Sequence, residues 1–267
     1  MVSFKVLKHI FLLLCTVTSL LGFALRVKTL GFVQSKPLAQ PRKLAGRVPF
    51  VGCEADGQAG PLKAPVGKSK VVSISADSAN RLAYYQSEPG FGVLAPRGWS
   101  CLCVYGSSGA VLYVTPERIT VGDVFSSTWT GFAGPAIELA TEDGDTSGRF
   151  GVARVVARVF PAYKSFVQRV IAEGLEPARS FPFGPYPEDK LTYRSREMVE
   201  YETPGNTDGL GTDLRLKKNA YPISGVAILV GETPDLVHLA VRLPPGQTDL
   251  APPIIQQLER DAEHRDP

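Results

Sequence analysis

The sequence predicts an α+β fold in which antiparallel hairpins pack with amphipathic helices, after an N-terminal signal and a basic linker. Strand-like apolar runs occur as adjacent pairs separated by turn chemistry, the clearest being Trp99 to Tyr105 and Ala110 to Thr115 around Gly106-Ser107-Ser108-Gly109. Helical stripes lie between such pairs, where a doubly wound parallel sheet would alternate single strands with single helices.

The chain opens MVSFKVLKHIFLLLCTVTSLLGFALRVK. Lys5 and Lys8 precede an apolar run from Ile10 to Leu25, and Gly22 and Ala24 supply small residues for a signal-peptidase cut after Ala24. At ~1.5 Å per residue a helix of this run reaches about 24 Å, short of the ~30 Å hydrocarbon core. A cleaved signal over 1–24 is therefore expected, with an uncleaved anchor as the alternative. Cys15 lies inside the run behind Leu14, which argues against a lipoprotein signal.

Residues 25–52 read as a basic linker containing Pro37 and Pro41. Arg26, Lys28, Lys36, Arg42, Lys43 and Arg47 have no acid among them. Of the 29 Lys and Arg, two fall in the signal and six in the linker, which leaves 21 against all 26 acids in the body, 53–267. Such a linker is either a solvated tether or a contact for an anionic membrane surface, at ~1 kcal/mol per basic residue. Nucleic acid is not expected as a partner, because the basic residues are not interleaved with aromatics and the body is mildly acidic. The body fits one domain, or two lobes at 53–145 and 146–267.

Residues 52–70, rich in Gly and Pro, read as coil, followed by a short apolar step at Val71, Val72 and Ile74. Ser75 is the expected cap of a helix running through Ala79, Leu82 and Tyr85 to Pro89-Gly90. After the first hairpin, residues 123–134 read as an aromatic loop and Ala136 to Ala140 as a strand. Thr141 to Gly148 is a polar turn leading into two helices bent apart at Pro161. Tyr163, Phe166, Val167, Val170 and Ile171 form an amphipathic stripe on the second, which Gly174 closes. Alternation from Leu191 to Glu202 predicts one long strand. Tyr221 to Val230 and Leu236 to Leu243 form a second hairpin, and Pro252-Pro253 begin a last helix.

In an oxidising compartment the three cysteines beyond the signal have disulfide formation as their default. Cys101 and Cys103 share one face of a strand with parallel Cβ vectors, so a bond between them would buckle it. A bridge from Cys53 to Cys101 or to Cys103 is easier, with Cys101 favoured, and the remaining thiol is expected buried and inert. No metal or cofactor is expected, since His238 and His264 lack ligand spacing.

His238, in LVHLAVRL, is expected as a satisfied sheet residue rather than a general base, and YGSSGA is not a nucleophile elbow. Glu142, Asp143 and Asp145 read as a solvated turn lacking EF-hand spacing. The catalytic set is thus empty. Tyr84, Tyr85, Arg97, Trp99, Tyr105, Ser107 and Ser108 are the candidate ligand contacts, aromatics with one arginine suiting a carbohydrate or peptide. The competing reading places Tyr85 and Trp99 in a core.

The phrases VPFVGCEADGQAGP, RLAYYQSEPGFGVLAPRGWSCLCVYGSSG and SGRFGVARVVARVFP resemble a family of uncharacterised exported proteins of Gram-negative bacteria, over about residues 48–260. The resemblance implies an exported bacterial protein with no assigned activity, and favours Cys101 over Cys103 as the shared cysteine. The function expected is a non-enzymatic binding module of the periplasm or envelope. The alternatives are an envelope hydrolase with a loop-built site and a membrane-tethered domain. A cavity bringing His238 to a serine and a carboxylate favours the enzyme; an exposed aromatic surface with His238 packed in the sheet favours the binder.

Overall fold

The computed structural model describes residues 45–264; the expected signal and most of the linker lie outside them. The described chain forms β1 (Ala45–Gly52), β2 (Ala55–Gly57), β3 (Ser69–Ser73), α1 (Ala76–Arg81), β4 (Leu82–Gln86), β5 (Val93–Pro96), β6 (Ser100–Gly106) and β7 (Gly109–Thr115). Then follow α2 (Val121–Val124), β8 (Ala136–Glu142), α3 (Arg149–Val159), α4 (Lys164–Ala172), β9 (Lys190–Tyr193), β10 (Met198–Thr203), β11 (Ile223–Val230), β12 (Asp235–Arg242) and α5 (Ala251–Glu263).

Helices and strands build two mixed sheets. A smaller one has the order β3-β1-β4-β5 and a larger one the order β2-β6-β7-β8-β12-β11-β10-β9. Both expected hairpins are present, but the parallel pairs β1/β4 and β2/β6 break the purely antiparallel expectation. Because β8 pairs with β12, the two halves contemplated on either side of residue 145 share one sheet.

Three local expectations need correction. Ala45–Gly52, expected as the end of the linker, is β1, and the expected coil that follows contains β2 and the start of β3. Ser75 does cap α1 by accepting from Ser78 N at 3.1 Å, but the helix stops at Arg81. Leu82, Ala83, Tyr84 and Tyr85 are all buried, and burial on every side suits a central strand better than an amphipathic helix. The alternation from 191 to 202 folds back on itself as β9 and β10. Arg194 N and Ser195 N both reach Met198 O, and Ser195 Oγ accepts from Glu197 N at 3.0 Å, so local side-chain bonding diverts the chain.

One face of the large sheet joins the small sheet in the main core. Ile137 and Leu139 of β8 and Val237, Leu239 and Val241 of β12 meet Ile254, Ile255 and Leu258 of α5 there, with Tyr84, Tyr85 and Leu94. Each such side chain contributes ~1.5–3 kcal/mol on full burial. On the opposite face α3 and α4 cover the β10–β12 end, where Val152, Val156 and Val167 pack on Val199, Ala227 and Leu236, and α3 reaches the near edge of β8 at Glu142. Helix α3 ends at Phe160 ahead of Pro161, and α4 resumes the stripe as expected. Among the described residues no helix packs on the β6–β7 part of that face as α3 and α4 pack on β10–β12.

Cys53 and Cys101 form a disulfide, 2.05 Å between sulfurs, and Cys103 is a free buried thiol.

Candidate functional site

Strand β8 reads AIELATE, so Ile137 and Leu139 enter the core while Glu138, Ala140 and Glu142 line the other face. That is the face α3 and α4 leave open. A groove follows, floored by Val104, Val111 and Tyr113 and walled by Phe125 and Trp129 on one side and the first turns of α3 on the other. It consists of two hollows of about 430 and about 500 Å³ meeting at Glu142 and Phe125.

Two carboxyls dominate it, Glu138 buried and Glu142 half-buried. Glu138 is 1% exposed and its Oε2 accepts from Arg215 N at 2.7 Å. Burial pushes its pKa up to about 8 against the pull of the Arg215 backbone and guanidinium. Burial also raises Glu142 to about 7, opposed by Arg154. Its Oε2 is buried with no partner among the described residues. Gly151 of α3 is what admits this carboxylate, since any β-carbon there would collide with it. Trp129 meets Tyr113 and Phe132 edge to face, and the latter two are tilted against each other, all with centroids 5.3–5.8 Å apart; Arg215 lies over Trp129.

The wall carrying Trp129 is fastened from below. Arg242, fully buried, donates to Phe132 O and Gly134 O at 3.3 Å and to Lys217 O. Phe132 N and Lys217 N close a short ladder between those segments.

At Glu142 the groove deepens into a cavity of about 160 Å³ between α3 and β12. Arg154 and Arg158, one turn apart on α3, line it with Tyr186, Asp213 and Ser180, and His238 forms part of its wall. Arg154 pairs with Glu176 at 2.8 Å, and Arg158 stacks on Tyr186 at 3.9 Å. Tyr186 donates to Asp213 Oδ1 at 2.5 Å, and burial followed by that carboxylate raises its pKa to about 12, so it stays protonated.

His238 is 1% exposed. Tyr201 Oη lies 2.9 Å from its Nε2 and donates its own proton to Leu239 O at 2.9 Å. A tyrosine has one hydroxyl proton, so Nε2 must be the donor to Tyr201. Nδ1 is then a bare acceptor, buried with no partner among the described residues. Burial lowers the imidazole pKa to about 4 and keeps it neutral.

The sequence-predicted contacts do not converge. Tyr84 and Tyr85 are core residues whose hydroxyls donate to Asp261 and to Pro96 O at 2.9 and 2.8 Å. Arg97 donates to Ala79 O and Leu82 O, closing the C-terminal end of α1. Trp99 lines a different hollow beside Cys101. Tyr105 donates to Gly60 O, and Ser107 N donates to Gln58. Of the set, Tyr105 and Ser108 border the groove. His238 and Ser180 share the cavity but form no hydrogen bond, so no nucleophile and base pair is assembled there. Among the described residues no group of three His, Cys, Asp or Glu side chains is placed to hold a metal ion, and no helix is long and apolar enough to cross a membrane.

Sequence reasoning passed over Glu138, Arg154, Arg158, Tyr186, Asp213 and Arg215, and read Glu142 only as part of a turn. The available signal was the pair of glutamates four apart on an otherwise apolar strand, which must share a face. No protein-family model, no curated protein and no solved structure matches the chain.

Proposed function

We propose that the protein is an exported binding module of the cell envelope that holds an elongated polar small molecule in the groove across Glu142. One observation carries the reading: Glu138 and Glu142 lie on the open face of the large sheet, and Glu142 is common to both groove hollows and the cavity. Aromatic walls with a few convergent polar groups suit a ligand site, and carboxyls whose pKa values burial moves near neutrality cluster at such sites. Export is supported by the charged and apolar pattern of residues 1–24, by the Cys53–Cys101 disulfide and by the resemblance in sequence.

The test is tryptophan fluorescence of a Trp99→Phe variant, in which Trp129 alone reports. Sugars and peptides of envelope origin are expected to change its emission saturably, and less so in Glu142→Ala. A response unaffected by Glu142→Ala places the ligand elsewhere and rejects the groove. N-terminal sequencing of the exported chain separates a cleaved signal from a tether, which would retain Met1.

A second reading, the envelope hydrolase, is favoured by Glu142 alone, because a carboxyl with a pKa of about 7 suits a general acid at neutral pH. Turnover of a bound sugar or peptide, lost in Glu142→Gln, would replace the binding reading with this one.

A further inference from the structure

Building on the groove reading, we propose that the cavity between α3 and β12 seats an uncharged carboxamide of the ligand, its N–H donating to His238 Nδ1 and its carbonyl accepting from the arginines of α3. The cavity holds about 160 Å³, below the ~300–1,000 Å³ of drug-sized sites. It therefore takes one functional group, and the rest of the ligand lies in the adjoining hollows.

The lining selects the group. Tyr201 fixes the imidazole with its proton on Nε2, so Nδ1 can only accept. A carboxylate or other anion has no proton to offer it and meets Glu142 and Asp213 besides. An ammonium group could donate, but it would stand beside Arg154 and Arg158. A hydroxyl can donate to Nδ1 and accept from a guanidinium at once, but only through a single oxygen, which fills far less than the about 160 Å³ between the two walls. A carboxamide presents N–H and C=O on separate atoms, matching an acceptor on the strand side and guanidinium donors on the helix side.

Tyr201 is a positioning residue in this scheme. It reaches His238 from β10 across β11 because Gly225, its register partner, has no side chain to block it. A buried acceptor without a donor is destabilising, and an amide N–H would offset that cost.

The experiment is ring-nitrogen NMR of the ¹⁵N-labelled exported chain, titrated with acetamide, N-acetylglucosamine, ethanediol and acetate. Acetamide and N-acetylglucosamine are expected to move the His238 Nδ1 resonance upfield and saturably, as an accepted hydrogen bond does. Ethanediol and acetate should leave it in place. In His238→Leu, where Tyr201 keeps its bond to Leu239 O, acetamide binding should weaken about tenfold, the equivalent of one hydrogen bond. A shift produced equally by ethanediol, or by acetate, overturns the carboxamide assignment. So does an unmoved Nδ1; if the Trp129 indole still responds to N-acetylglucosamine, the groove reading survives that failure, and if Trp129 is silent as well, both fall.

Discussion

Tyr201 crosses an intervening strand to bond His238, its hydroxyl 2.9 Å from Nε2. The crossing is possible because Gly225, which pairs with Tyr201 on β10 and with Ala240 on β12, puts no side chain in the path of the ring. A β-carbon at 225 would collide with the Tyr201 hydroxyl and with Leu239 O. Gly225→Ala is therefore expected to destabilise the fold by ~1–3 kcal/mol, the usual cost of overpacking. Urea denaturation measures it, and an unchanged midpoint would mean that Tyr201 does not occupy this crossing.

Glu138 and Glu142 should make the protein less stable as pH rises. Each holds its proton more tightly when folded, with pKa raised from 4.5 to about 8 and about 7 respectively. Between the unfolded and folded values the native state binds more protons, so stability falls as pH increases through that window and levels off above it. Glu142→Gln, close in shape to the protonated acid, should flatten the slope between about pH 4.5 and 7 and gain ~1–3 kcal/mol over the parent at pH 8. Equal pH slopes for parent and variant would sink this.

His238 acts with the opposite sign. Burial lowers its folded pKa from 6.5 to about 4, so the unfolded chain takes up the proton first. Stability contributed by the neutral ring is complete above pH 6.5 and is lost as pH falls toward 4. His238→Leu should remove that acid-side loss, with denaturation midpoints at pH 5 and pH 7 drawn closer together. No narrowing of that gap would count against the buried neutral imidazole.

Reducing Cys53–Cys101, partners 48 residues apart, should cost ~3–4 kcal/mol in the chain-entropy account. Cys103 should resist alkylation in the folded, oxidised protein, because it is buried and burial raises its thiol pKa. Mass spectrometry after alkylation checks both sulfurs and thiol together. Labelling at Cys53 or Cys101 without prior reduction would contradict the bridge.

Much of the fold was legible because local pattern and tertiary position agree. Turn chemistry at residues 106–109 and 232–235 joins paired strands in the folded protein, and Pro161 separates α3 from α4. Elsewhere the tertiary setting overrides the pattern. The Ser75 cap is genuine, yet burial on all sides turns Leu82–Gln86 into a strand. Basic composition hid β1, although Arg47 does no more than reach Ser69 Oγ from an exposed position. The groove was legible only in its floor. Glu138 and Glu142 advertise a shared face, but whether that face is covered depends on helices and on residues 213–215, which are remote in sequence. Nor could spacing reveal that Tyr201 and His238, 37 residues apart, touch across a glycine.

The buried guanidinium of Arg242 ties residues 132–134 to residue 217 from beneath, and burial lowers its pKa to about 10. Both tied segments continue into one bank of the channel that carries Trp129 and Arg215. The position of that bank is thus set by an anchor outside the channel, and under the proposed binding role substitution of Arg242 would alter affinity from outside the site.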